Sequence, residues 1–318
     1  MTARPDRGRI HGWKVPRTLR WGVGLALVTA LISGVSIFVN SYAVRQLPDP
    51  AVYTTLKNGV AAILLVLLAA LTTRPAELRG LGRSEWSGLL AVGVLGGGIP
   101  FILFFTGLAQ ASAPSAAFIQ KTMFVWVALL AVPFLGERLG WLQFSALAIL
   151  FGGQLLVAAP AGVRWGSGET MIAIATLLWS IEVVVARHLL RSIPVSVLGA
   201  GRLAIGLVVL VAFVIASGHL GTFATLSATQ LSWGLGTGLL LVAYVATWFA
   251  ALRRAPATVV TSVLVLGAPI TALLTTIANR TIPQPPMLAG ETLIAAAALA
   301  VVVLAVKRRS FMPRAAAA

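Results

Sequence analysis

An all-α integral membrane fold is predicted by three observations. The 318 residues are 58% hydrophobic and only 10% charged, with a mean hydropathy of +0.95. A soluble protein is about one-quarter charged. Apolar runs such as 25–38, 60–71 and 293–306 are too long for soluble helices, and they lack the polar/apolar alternation of a membrane β-barrel. Only helices or closed barrels satisfy their backbone inside a bilayer.

Cutting the chain at its polar and Pro/Gly breaks, with roughly 20 residues needed per span, gives ten spans: 21–43, 51–73, 86–108, 114–134, 140–159, 169–190, 195–216, 231–252, 256–278 and 287–306. The first is too long for a signal-peptide core and no small-residue cleavage site follows it. No loop has room for a soluble domain. The expected organisation is a basic N-terminal segment (1–20), a first five-span unit (21–159), a second (169–306) and a basic tail (307–318).

The net charge of +16 is asymmetric along the chain rather than a nucleic-acid footprint. With a cytoplasmic N-terminus, Arg4, Arg7, Arg9, Lys14, Arg17, Arg20, Arg74, Arg79, Arg83, Arg138, Arg187, Arg191, Arg253, Arg254, Lys307, Arg308, Arg309 and Arg314 all face inward. Arg45, Arg164 and Arg280 face outward, and Lys57, Lys121 and Arg202 lie within spans. This bias follows the positive-inside rule and predicts a multi-pass protein of the cell membrane with both termini cytoplasmic. The expected partners are the lipid bilayer and a small solute, not nucleic acid.

The halves superimpose on each other. A shift of 142 places Ala113-Pro114 on Ala255-Pro256, Arg138 on Arg280, Glu137 on Asn279, Arg45 on Arg187 and Asn40 on Glu182. Small gaps then align Lys57 with Arg202. Five spans per half is an odd number, so the halves are expected to be inverted in the bilayer, a design of secondary transporters.

Several stretches carry a family resemblance: Gly96-Gly97 to Gly107-Leu108, Ala113-Pro114-Ser115-Ala116-Ala117 and Phe134-Leu135-Gly136-Glu137-Arg138-Leu139. In the second half they are Gly234 to Gly238, Trp248 to Arg254, Ala255-Pro256-Ala257 and Pro269. Over about residues 20–306 the chain resembles the EamA-type members of the drug/metabolite transporter superfamily. The resemblance implies a central cavity between the repeats, peripheral fifth and tenth spans, and metabolite or drug-like substrates, often exported. The second copy of the loop after span four reads Ala278-Asn279-Arg280-Thr281, without the glutamate.

Charges inside spans are costly and usually functional. Lys57, Lys121, Glu182 and Arg202 qualify; Glu291 lies nearer a helix end. Glu182 and Arg202 fall at equal depth on either side of the tight Ser192-Ile193-Pro194 loop, so an ion pair that also takes up a coupling proton is expected. Lys121, with Gln120 beside it, is expected to hold an anionic group of the solute, Phe118 lying on the same face as Lys121, Thr122 and Val125. A snorkelling or packed lysine is the alternative. Asn40, Lys57 and Trp248 complete the expected binding set. Gly93/Gly97 and Gly234/Gly238 are small-xxx-small pairs for close helix approach or sliding. Gly98 with Pro100 and, in the second half, Pro269 are expected to distort their helices.

No P-loop, metal-ligand spacing or Ser-His-Asp set is present and cysteine is absent, so no cofactor, metal or enzymatic activity is expected. The reading is a secondary transporter, most simply an exporter, of a small organic metabolite that is anionic or amino-acid-like. The alternatives are a multidrug exporter of hydrophobic cations and, more remotely, an intramembrane enzyme or a channel.

Overall fold

The computed structural model describes residues 17–111, 113–158, 165–280 and 284–307. The basic N-terminal residues before Arg17, Arg164, Thr281 and the tail beyond Lys307 lie outside the described residues, as do the side chains of Ala113, Pro114 and Ala117.

Every regular element among the described residues is helical. Helix α1 is Arg17–Ala43 and α2 is Pro50–Thr72. Asp49 starts α2 by accepting from the free N–H groups of Ala51 and Val52, while Pro50 occupies a position that needs no donor. Helix α3 has three parts: Arg83–Val92, a π-helical turn Gly93–Gly98, and Ile99–Gln110. Helix α4 is Ala113–Lys121 followed by Met123–Leu135, and α5 is Trp141–Ala158. Then come α6 (Ser167–Leu189), α7 (Val195–Ala216) and α8 (Ala228–Arg254). Helix α9 is Ala257–Leu264 followed by Gly267–Asn279, and α10 is Pro285–Lys307. Short turns Pro75–Arg79 and Leu220–Thr225 lie between α2 and α3 and between α7 and α8.

Nine of these helical stretches, among the described residues, are long and apolar enough to cross a membrane. The chain is a multi-pass helical membrane protein. The expected span 140–159 falls on an apolar helix described as Trp141–Val157, and Gly136 to Gly140 before it are not helical. Large apolar side chains such as Leu31, Ile63, Leu71, Val208 and Leu239 are exposed, as a lipid-facing surface requires.

The two halves break and end alike. Helix α4 is interrupted at Thr122 and α9 at Val265-Leu266; α4 is terminated by Gly136 (φ +68°) and α9 by Arg280 (φ +53°), both left-handed. Helix pairing has the same regularity. α1 packs on α8 and α9 while α6 packs on α3 and α4; α2 packs on α8 while α7 packs on α3; α2 meets α7, α4 meets α9, and α5 meets α10. Exchanging the halves maps these pairs onto themselves.

The glycine pairs sit where helices approach most closely. A Cβ on Gly97 would strike the Arg202 carbonyl oxygen, and one on Gly93 would strike Ile205, both on α7. On the other half, a Cβ on Gly238 would lie 2.8 Å from Val60 and 3.0 Å from the Lys57 carbonyl oxygen, and one on Gly234 would strike Leu56, both on α2. Lys57 and Arg202, aligned by the repeat, therefore lie at corresponding contacts.

Pro100 acts as its chemistry demands. It has no N–H for the Gly96 carbonyl four residues earlier; the indole Nε1 of Trp179 on α6 donates to that oxygen instead, at 3.0 Å. The distortion itself lies upstream, in the π turn. Pro269 falls in the first turn of Gly267–Asn279, so the break precedes it.

Candidate functional site

A cavity of about 290 Å³ lies among α1–α4 and α6–α9; neither α5 nor α10 lines it. Its lining includes Val44 and Leu108, near the ends of α1 and α3. In the opposite direction it stops at mid-helix residues, Trp248 on α8 and Thr261 to Val265 on α9. Beyond these, Ala257 to Val260 are buried, closing that end.

Phe101, Phe104 and Phe105 on α3 follow an i, i+3, i+4 spacing that puts them on one wall, with Trp179 packed edge-on to Phe101 at 5.5 Å. On the opposite wall Trp248 stacks on Tyr244 one turn earlier, with ring centroids 6.0 Å apart.

Lys57 points inward and is buried. Its Nζ donates to Asn40 Oδ1 at 3.0 Å and sits over the rings of Tyr53 (5.4 Å), Phe105 (5.3 Å) and Phe101 (5.8 Å). Ring faces are negative, so such contacts offset the loss of hydration. Asn40 Oδ1 also accepts from the Tyr53 hydroxyl, and its Nδ2 donates to the Ser36 carbonyl (2.6 Å) and Ser36 Oγ (2.9 Å). The amide is thereby fixed with its oxygen toward the ammonium.

Arg202 Nε lies 3.3 Å from Glu182 Oε1, both groups buried. The guanidinium also lies over Phe101 (5.9 Å) and Phe249 (6.0 Å). Lys121 and Gln120 both line the cavity, close to the break at Thr122. Among the described residues Lys121 has no hydrogen-bond or ion-pair partner.

Phe118 departs from the expected set. Its ring packs against Phe151 of α5 with centroids 6.2 Å apart, and it does not line the cavity. Three residues separate Phe118 from Lys121, roughly 60° around a helix. That offset turns Phe118 toward α5; α4 lines the cavity with Ala116, Gln120, Lys121, Met123 and Phe124, so of the expected face 118, 121, 122 and 125 only Lys121 does so. The phenylalanine cluster, Trp179 and Tyr244 were not singled out from sequence, although the spacing of Phe101, Phe104 and Phe105 is visible there.

Taken at ordinary ionisation, the cavity holds three cations, Lys57, Lys121 and Arg202, against one carboxylate, Glu182.

The EamA-like transporter family model matches the chain twice, over residues 20–159 and 166–314. The chain belongs to the EamA-like transporter family. An uncharacterized transporter of Synechocystis sp. is 27% identical over 158 residues, which are 47% of this chain and 45% of that relative. The match thus spans about half of each protein. A solved structure, described as a crystal structure of protein, has the same fold with a TM-score of 0.74 at 16% identity, covering 90% of this chain and 99% of its own. The chain is thus a multi-pass member of a transporter family, with the cavity as its candidate solute site.

Proposed function

We propose that the chain is a secondary exporter of a small organic anion, working by alternating access between two inverted five-helix repeats. In this reading α5 is the fifth of ten spans and both termini are cytoplasmic. The symmetric helix pairing and the matching breaks in α4 and α9 support the repeat reading. The distribution of basic residues supports the orientation. With that orientation the mouth near Val44 and Leu108 faces outward, and the end closed by Ala257 to Val260 faces the cytoplasm.

The observation that carries the substrate class is a pair of cavity-lining lysines without a carboxylate partner. Lys57 is braced by a neutral amide and three rings, and Lys121 faces the cavity unpaired. A carboxylate or phosphate of the solute would complete both, with the phenylalanine wall and Trp248 contacting its apolar part. Glu182 is the candidate proton site, since losing the Arg202 pairing during the cycle would favour its neutral form. The cationic balance argues against hydrophobic cations as substrates.

The test is a thermal-shift screen of purified protein against organic acids, amino acids and cationic dyes, followed by flux in proteoliposomes. Lys121→Met keeps the length and removes the charge. An anionic solute should stabilise the parent and lose at least about tenfold in affinity with the variant, the scale of one charged hydrogen bond. Unchanged affinity and rate in a folded Lys121→Met protein would sink the assignment.

A further inference from the structure

The closed end of the cavity is held by a residue that the transport reading does not use. Glu137, in the loop after α4, is 5% exposed although it is charged and lies at a helix end. Its Oε1 accepts from the Ala257 N–H at 2.5 Å and its Oε2 from the Thr258 N–H at 3.1 Å. These are free donors of the first turn of Ala257–Leu264. The residue at the N-cap, Pro256, supplies no side-chain cap. A carboxylate from the first half thus caps a helix of the second half, 120 positions away. The contact ties the end of α4 to the joint between α8 and α9, on the side of the molecule opposite the cavity mouth.

The repeat gives this contact a counterpart at the other end. The shift of 142 that aligns the halves places Asn279 on Glu137. Asn279 is exposed and neutral, so the mouth end lacks a carboxylate at the corresponding place. A charge-assisted bond is roughly twice as strong as a neutral one, and it gains further from burial and from the positive end of the helix. The two ends of a symmetric scaffold are therefore fastened unequally.

We infer that Glu137 is a gate-positioning residue: it latches the Ala257–Leu264 segment across the cytoplasmic end and biases the protein toward the outward-open form. Opening inward separates the carboxylate from the two N–H groups, and reclosing restores them. The inference rests on the alternating-access reading, but not on the identity of the solute.

The chain has no cysteine, so single reporters can be read cleanly. Ser262→Cys lies fully buried in the latched segment, and Ser36→Cys lines the cavity nearer its mouth. Each is labelled with a membrane-impermeant maleimide from either side of oriented vesicles, with Glu137 intact or replaced by Gln, Asp or Ala. Glu137→Gln should raise cytoplasmic labelling of Ser262→Cys by at least about tenfold and lower outer labelling of Ser36→Cys, and Glu137→Asp should restore part of the parent pattern. If Ser262→Cys is unaffected, or if both reporters speed up together, Glu137 is an ordinary structural cap and the latch is wrong. Labelling needs no solute, so a Lys121→Met protein with normal flux would overturn the anion assignment while leaving these outcomes intact.

Discussion

Replacing Glu182 by glutamine leaves the Arg202 guanidinium buried without its carboxylate. At 3.3 Å and the effective dielectric that suits protein sites, the attraction lost is about 5 kcal/mol. This agrees with the ~3–5 kcal/mol typical of breaking a buried pair from one side. The two single losses should differ. With Glu182→Gln the guanidinium keeps the faces of Phe101 and Phe249, contacts of about 0.5–2 kcal/mol. With Arg202→Gln the carboxylate can be neutralised by a proton, an escape closed to the guanidinium, so this variant should be the less destabilised of the two. Combining both removes the stranded charge, and the double variant should recover at least about 2 kcal/mol relative to the sum of the single losses. Equilibrium unfolding in mixed detergent micelles, run on all four proteins, measures this coupling. A coupling within about 0.5 kcal/mol of zero would refute the reasoning, because the side chains would then be held by different neighbours.

Gly97→Ala should cost about 1–3 kcal/mol through overpacking, since the added methyl meets the Arg202 carbonyl. Gly236→Ala, where nothing lies within 4 Å, should be near neutral in the same unfolding assay. Trp179→Phe should cost about 1–3 kcal/mol, because the Gly96 carbonyl loses the indole that replaces the missing Pro100 N–H; a loss below about 0.5 kcal/mol would mean that another donor takes over. For orientation, an impermeant maleimide should label intact cells carrying Leu220→Cys but not Arg138→Cys, both positions being exposed; the reverse pattern would invert the topology.

The spans were legible because hydrocarbon imposes a minimum length and excludes charge, and both constraints are written in one dimension. The same economy exposed Lys57, Lys121, Glu182 and Arg202, all of which line the cavity. The break at Thr122 was hidden because neither glycine nor proline marks it, and Phe118 was misplaced because a three-residue spacing leaves it about 60° around the helix from Lys121. The capping role of Glu137 was out of reach for another reason. Its partners are backbone N–H groups 120 and 121 residues away, and a main-chain donor leaves no trace in residue identity.

The two aligned cations show how a symmetric frame can carry unequal chemistry. In each half a basic residue sits on the helix that presses its carbonyl oxygen against a glycine: Lys57 with Gly238 and Arg202 with Gly97. Each glycine lets the facing backbone approach closely, so a slip of either helix along its glycine partner carries the cation with it. What differs is the group each cation meets. Asn40, aligned with Glu182, offers an amide oxygen to Lys57, whereas Glu182 offers a full negative charge to Arg202. The second pair is therefore electrically closed, while the first retains its positive charge. Under the proposed function, a solute anion would complete only the open one. In the proposed cycle the solute would act at Lys57 on α2 and the proton at Glu182 on α6, beside Arg202 on α7; α2 and α7 pack directly on each other, so the two cations are joined by a single helix contact.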